Sequence, residues 1–85
     1  MKQEEMRAEI QEIFRDVLGQ SSLILHDKLT ASDVRDWDSI NHVVIVDAIE
    51  RRFKIRFGLS EMDQLANVGD LFAAVEMKLK KAGVI

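Results

Sequence analysis

Trp37-Asp38-Ser39-Ile40-Asn41-His42-Val43-Val44-Ile45-Val46-Asp47-Ala48-Ile49-Glu50-Arg51-Arg52-Phe53 is the stretch whose reading decides the architecture. Asp38 is a good N-cap, which puts Ser39 in the first helical position and predicts a helix over 39–53. At about 100° per residue, His42, Ile45, Val46, Ile49 and Phe53 gather on one side, enough to face a core. Ile40, Val43 and Val44 lie on the other side, with Asp47 and Arg51. A helix apolar on two sides in a small domain is either centrally buried or carries a binding surface. Here the second side is apolar only near Ser39 and turns charged further on. It is therefore read as a docking patch of Ile40, Val43, Val44 and Asp47 beside Ser39.

Upstream, residues 20–38 show no sustained period. Ser21, Ser22, Asp27, Thr30, Ser32 and Asp33 are turn formers, while Leu23, Leu25, Leu29 and Val34 can pin the segment down. A loop of this length is uncommon in a compact domain and is usually functional. Before it, Met6, Ile10, Ile13, Phe14, Val17 and Leu18 recur at helical spacing and Gly19 follows at once, so a helix is expected over 3–18. Downstream, Ser60-Glu61-Met62-Asp63 has the form of a capping box opening a short helix through Leu65. Asn67 can cap a last helix over 68–81 whose Leu71, Phe72, Val75 and Leu79 face inward. The expectation is all-α: a four-helix bundle of three longer helices and one short one, with a long first loop.

Eighty-five residues suit one domain, 1–85, with a modest core and no room for a separate substrate domain. Cysteine is absent, which excludes disulfides, thiolate metal sites and a cysteine nucleophile. His26 stands alone in the loop, so no metal site is expected. The net charge of -3 and the lack of a basic stripe make nucleic acid a poor partner. Arg51, Arg52, Lys54 and Arg56 do cluster, but cations at a helix end are usually a solvated complement to its dipole. The polar start, Met1-Lys2-Gln3-Glu4-Glu5, and the short apolar runs give no sign of a signal peptide or membrane insertion. A cytoplasmic monomer is the expectation.

Ser39 is the residue that can carry chemistry. At a loop-to-helix junction its hydroxyl is reachable, and the first turn's free N–H groups tolerate a phosphate ester. On local pattern alone Ser39 could equally be part of a cap. The wider pattern goes further: Trp37-Asp38-Ser39-Ile40-Asn41-His42-Val43, then Ile49-Glu50-x-x-Phe53-x-Ile55, then Asn67-Val68-Gly69-Asp70-Leu71. Together these resemble acyl carrier proteins and peptidyl carrier domains from the attachment motif through the last helix.

The resemblance implies a four-helix carrier that is not an enzyme. Ser39 would receive 4′-phosphopantetheine from coenzyme A through a separate, magnesium-using phosphopantetheinyl transferase. The arm's thiol then holds acyl intermediates as thioesters for acyl-loading and acyl-transferring or condensing enzymes, supplying the sulfur this cysteine-free chain lacks. Asp38 matches the motif acid, as helix cap and transferase contact, and the partner-binding helix is the one already singled out. Two departures point away from the housekeeping fatty-acid carrier. Asp36 stands where such carriers usually have glycine, and the second helix is only weakly acidic, so it would steer weakly onto basic enzyme surfaces. A carrier for polyketide, nonribosomal peptide or specialised lipid biosynthesis fits better.

Rival readings are weaker. Ser39, His42 and Asp38 could compose a hydrolytic constellation, but His42 projects toward the core and nothing builds an oxyanion hole. An unmodified helical interaction module, in which Ser39 only caps, is the remaining alternative of another class. Trp37 is read as a packing anchor for the loop, in preference to a ligand-stacking residue.

Overall fold

The computed structural model describes residues 2–84. The outermost positions of the expected 1–85 span, Met1 and Ile85, lie outside the described residues. Four helices follow in order: α1 (Gln3–Leu18), α2 (Ser39–Phe53), α3 (Leu59–Asp63) and α4 (Val68–Lys81). Among the described residues there is no strand.

The three longer helices have the expected bounds, and each boundary has a visible cause. In α1 the buried residues Met6, Ile10, Phe14 and Leu18 are spaced four apart, with Ile13 and Val17 partly buried beside them. Gly19 then turns left-handed (φ 64°), and its N–H donates to the Arg15 carbonyl. Asp38 accepts the Asn41 N–H at 2.8 Å to open α2, and Asn67 accepts the Asp70 N–H at 2.8 Å to open α4. α1 packs most closely on α2, with α4 against α1. Ile45, Val46 and Ile49 of α2 and Val68, Leu71, Val75 and Leu79 of α4 join the α1 stripe in one buried core. Each such side chain, fully buried, contributes about 1.5–3 kcal/mol.

The short helix corrects the expectation. It spans Leu59–Asp63 and does not run through Leu65, and Ser60 does not cap it. Glu61 reaches back instead to accept the Gly58 N–H at 2.9 Å, and its other oxygen meets Lys78 Nζ at 2.9 Å. Tethered to both, Glu61 starts the helix one residue before Ser60. Beyond Asp63 the chain tightens into three-residue turns, Gln64 N–H to Glu61 O and Leu65 N–H to Met62 O, both 3.2 Å.

The long first loop also has structure its sequence did not announce. A 3-10 turn spans Ala31–Asp33, with Thr30 N–H and Oγ1 both donating to Asp33 Oδ2 at 3.0 Å. Arg15 Nε donates to the Leu23 carbonyl, Gln11 Oε1 accepts the Leu25 N–H, and Gln20 Nε2 donates to the Arg35 carbonyl. The start of α4 completes the fastening: Val68 N–H donates to Leu29 O at 2.9 Å and Gly69 N–H to Asp27 O at 2.8 Å.

Glycine is required at 69 by space. A Cβ there would sit 2.9 Å from the Asp27 carbonyl oxygen and 3.1 Å from its Cβ. Gly69→Ala is thus expected to lower stability by about 1–3 kcal/mol, despite alanine's better helix propensity. Urea denaturation checks this, and an unchanged midpoint would mean that the loop shifts without cost.

Candidate attachment site and adjoining cleft

The site begins at the junction of the first loop with α2. Asp36 takes a left-handed conformation (φ 69°), and its carbonyl accepts Asn41 Nδ2 at 2.7 Å. The chain thus turns sharply where the resemblance would place a glycine, and Asn41, anchored at both backbone and side chain, holds the turn to the helix. Trp37 is buried against Phe14, ring edge to ring face, with centroids 5.0 Å apart. It is the packing anchor expected of it.

Ser39 is exposed in the first position of α2, and its Oγ makes no hydrogen bond among the described residues. Its own N–H and that of Ile40 have no acceptor there either, whereas Asn41 and His42 N–H groups are taken by Asp38 Oδ1 and O. Two free donors at the positive end of a fifteen-residue helix beside an accessible hydroxyl fit a phosphodiester. Asp38 is committed to capping, which turns an oxygen inward to the helix N–H groups.

His42 does not serve Ser39. Its Nδ1 accepts Trp37 Nε1–H at 3.0 Å and its ring stacks at 6.0 Å on the indole. The imidazole is half-buried, as expected of a satisfied histidine, and no bond joins it to Ser39. A nucleophile–base pair is therefore missing from the rival constellation. Ile40, Val43 and Val44 are 74%, 55% and 45% exposed, so the second apolar side of α2 is not explained by burial. Asp47 is exposed on the same side and pairs with Arg51 at 3.2 Å.

What the sequence reading missed is a cleft of about 520 Å³ opening beside Ser39. Trp37, His42 and Val43 form one wall, and Leu59, Met62 and Leu65 of α3 and the turn after it form the other. Leu59 at its lip is 83% exposed. The spacing of Leu59, Met62 and Leu65 was a legible signal for an apolar side of α3, but it carried no information about what that side faces.

Burial pushes the His42 imidazole below its ordinary value. A histidine so shifted is neutral when folded, and the unfolded chain binds the proton first. Stability is complete above the unfolded value of about 6.5 and falls as pH drops through it toward the folded value. Protonation would also set an Nδ1–H against the indole N–H, two donors with no acceptor between them. Urea midpoints measured from pH 8 to pH 5 are expected to decline below about 6.5 and to flatten in that window in His42→Asn. A parallel decline in the variant would assign the slope to other groups. Glu61, lowered by the Gly58 N–H and then Lys78, and Asp33, lowered by Thr30, lose their contributions only at more acidic pH.

Comparison with known proteins agrees with this geometry. Residues 8–75 match the family described as the phosphopantetheine attachment site. Among solved structures, the chain is similar to a holo acyl carrier protein from Geobacter metallireducens, determined by solution NMR. The two are 35% identical with a TM-score of 0.85, over 91% of this chain and 88% of that one. No curated protein matches. With the family match spanning most of the chain and the fold shared at this identity, the chain belongs to the phosphopantetheine-attachment family of acyl carrier proteins: 4′-phosphopantetheine is its covalent group, and it is a carrier and not a catalyst.

Proposed function

We propose that Ser39 is the attachment residue and that residues 1–85 form one carrier domain serving polyketide, nonribosomal peptide or specialised lipid biosynthesis. The observation that carries the proposal is the free, exposed Ser39 hydroxyl at the start of α2, next to two unpaired N–H groups. A phosphopantetheinyl transferase transfers the arm from coenzyme A to Ser39 Oγ, releasing the adenosine bisphosphate part as leaving group. Asp38 holds the first turn in shape for that transfer. Acyl-loading and acyl-transferring or condensing enzymes then engage Ile40, Val43, Val44 and Asp47, and the arm raises the effective concentration of the thioester at each active site. The specialised role is supported by Asp36 in the left-handed turn and by the weak acidity of α2, whose Asp47 is already paired with Arg51.

Intact-mass measurement after incubation with coenzyme A, magnesium and a broad-specificity transferase tests the attachment. One phosphopantetheine is expected, mapped to the peptide containing Ser39. No adduct, while a reference carrier is modified in parallel, would overturn the proposal. The same loaded chain is expected to accept malonyl groups slowly from a fatty-acid-synthesis malonyl transferase. Acceptance as fast as the housekeeping carrier's would reverse the pathway assignment.

A further inference from the structure

The charges of α2 do not stand as the sequence alone suggests. Both of its acids are engaged within the fold: Asp47 with Arg51 at 3.2 Å, and Glu50 Oε2 with the Phe57 N–H at 2.7 Å. Arg52 is engaged as well, its guanidinium on Glu9 Oε1 at 2.6 Å. Lys54 and Arg56 remain exposed and make no ion pair among the described residues. Together with Arg51 they rim a shallow recess of about 530 Å³ that Asp47, Glu50 and Ile55 also line.

Lys54 itself is an outlier. It ends α2 in a left-handed conformation (φ 57°), the position where glycine is the usual residue because a side chain is strained there. Complementing the helix dipole does not require a cation at that residue, since Arg51 and Arg52 already occupy the last turn. On the helix, Ile40, Val44, Asp47 and Arg51 follow one another at three- and four-residue steps in a single stripe, and Lys54 stands just past its end, about 21 Å along the axis from Ile40. The stripe is apolar beside Ser39, neutral at the Asp47–Arg51 pair and net positive at its far end, where Lys54 and Arg56 outnumber the Glu50 carboxylate.

Resting on the carrier reading above, we infer that the enzymes this chain serves present an acidic docking rim opposite Lys54 and Arg56, with an apolar spot beneath Ile40, Val43 and Val44. The polarity is the reverse of an acidic carrier helix on a basic enzyme. Positive charge at one end and apolar surface at the other set both the register of docking and the direction in which the arm enters.

The test uses the phosphopantetheine-loaded chain and two short amphipathic peptides with the same apolar residues, one carrying glutamates and one lysines. Binding is followed by NMR shifts at the amides of residues 40–56. The glutamate peptide is expected to bind at least about fivefold more tightly than the lysine peptide, with the preference shrinking as salt rises. In Lys54→Gly combined with Arg56→Ser the preference is expected to disappear while the thermal midpoint stays at or above the parent's, because glycine relieves the left-handed strain. Equal binding of the two peptides, tighter binding of the lysine peptide, no binding of either, or a preference unchanged in the variant would each overturn the inference. The mass of the loaded chain separates this from the carrier reading: a loaded chain without the preference loses only the docking inference, and a chain that cannot be loaded loses the carrier assignment itself.

Discussion

Ser39→Ala is expected to abolish the phosphopantetheine adduct completely while leaving the bundle folded. The two halves of that expectation have separate causes. Chemically, the transfer needs an oxygen nucleophile on a carrier that contains no cysteine, so no thiol can substitute. Of the other hydroxyls, Ser32 and Thr30 hydrogen-bond each other at 3.1 Å in the 3-10 turn. Ser21 and Ser22 lie in the first loop and Ser60 in α3, so none of them stands at the first turn of a long helix behind a capping aspartate. Structurally, Ser39 Oγ supports nothing: it has no hydrogen bond, the cap is Asp38, and alanine suits a first-turn position. Stability should therefore change by less than about 0.5 kcal/mol. Intact-mass spectrometry and a urea curve on the same variant check both halves. An adduct that persists would move the attachment site, and a large loss of stability would mean that Ser39 is a structural residue.

The start of α2 was legible because its determinants are local. Asp38 caps it, Trp37 precedes it, and the apolar positions behind it repeat at 3.6-residue spacing. Gly19 and Asn67 mark the other two long helices in the same local way. The features that escaped depend on pairs distant in sequence. Arg35 to Gln20 and Leu29 to Val68 join residues far apart in the chain, and Leu23 to Arg15 is a side-chain bond that no periodicity announces, so the first loop looked less ordered than it is. Two left-handed residues, Asp36 and Lys54, were invisible because neither is glycine. The cleft needed both walls. His42 and Val43 were visible on α2 and Leu59, Met62 and Leu65 in the α3 segment, but only the packing of α3 beside α2 makes them face each other.

Trp37 joins the fold to the site, so its truncation is expected to have the largest effect on stability. The indole is 6% exposed, meets the Phe14 ring edge-on, and donates to His42 Nδ1. Trp37→Ala removes a large buried side chain, for about 3–5 kcal/mol, and leaves the imidazole without its donor. A domain of this size has only about 5–10 kcal/mol in all, so the thermal midpoint should fall by roughly 15–30 °C. Trp37→Phe separates the contributions: it keeps an aromatic ring against Phe14 and loses the N–H bond and part of the packing, at a cost of about 1–2 kcal/mol. The cost should diminish only once the pH falls well under the ordinary 6.5, to where the lowered imidazole of the folded parent takes a proton and loses the same bond. Because Trp37 lies two residues before Ser39 and forms a wall of the cleft, Trp37→Phe should still accept the arm while folded. Full stability in Trp37→Ala would show that the loop is anchored by its backbone bonds to α4, with the indole only covering the end of the core.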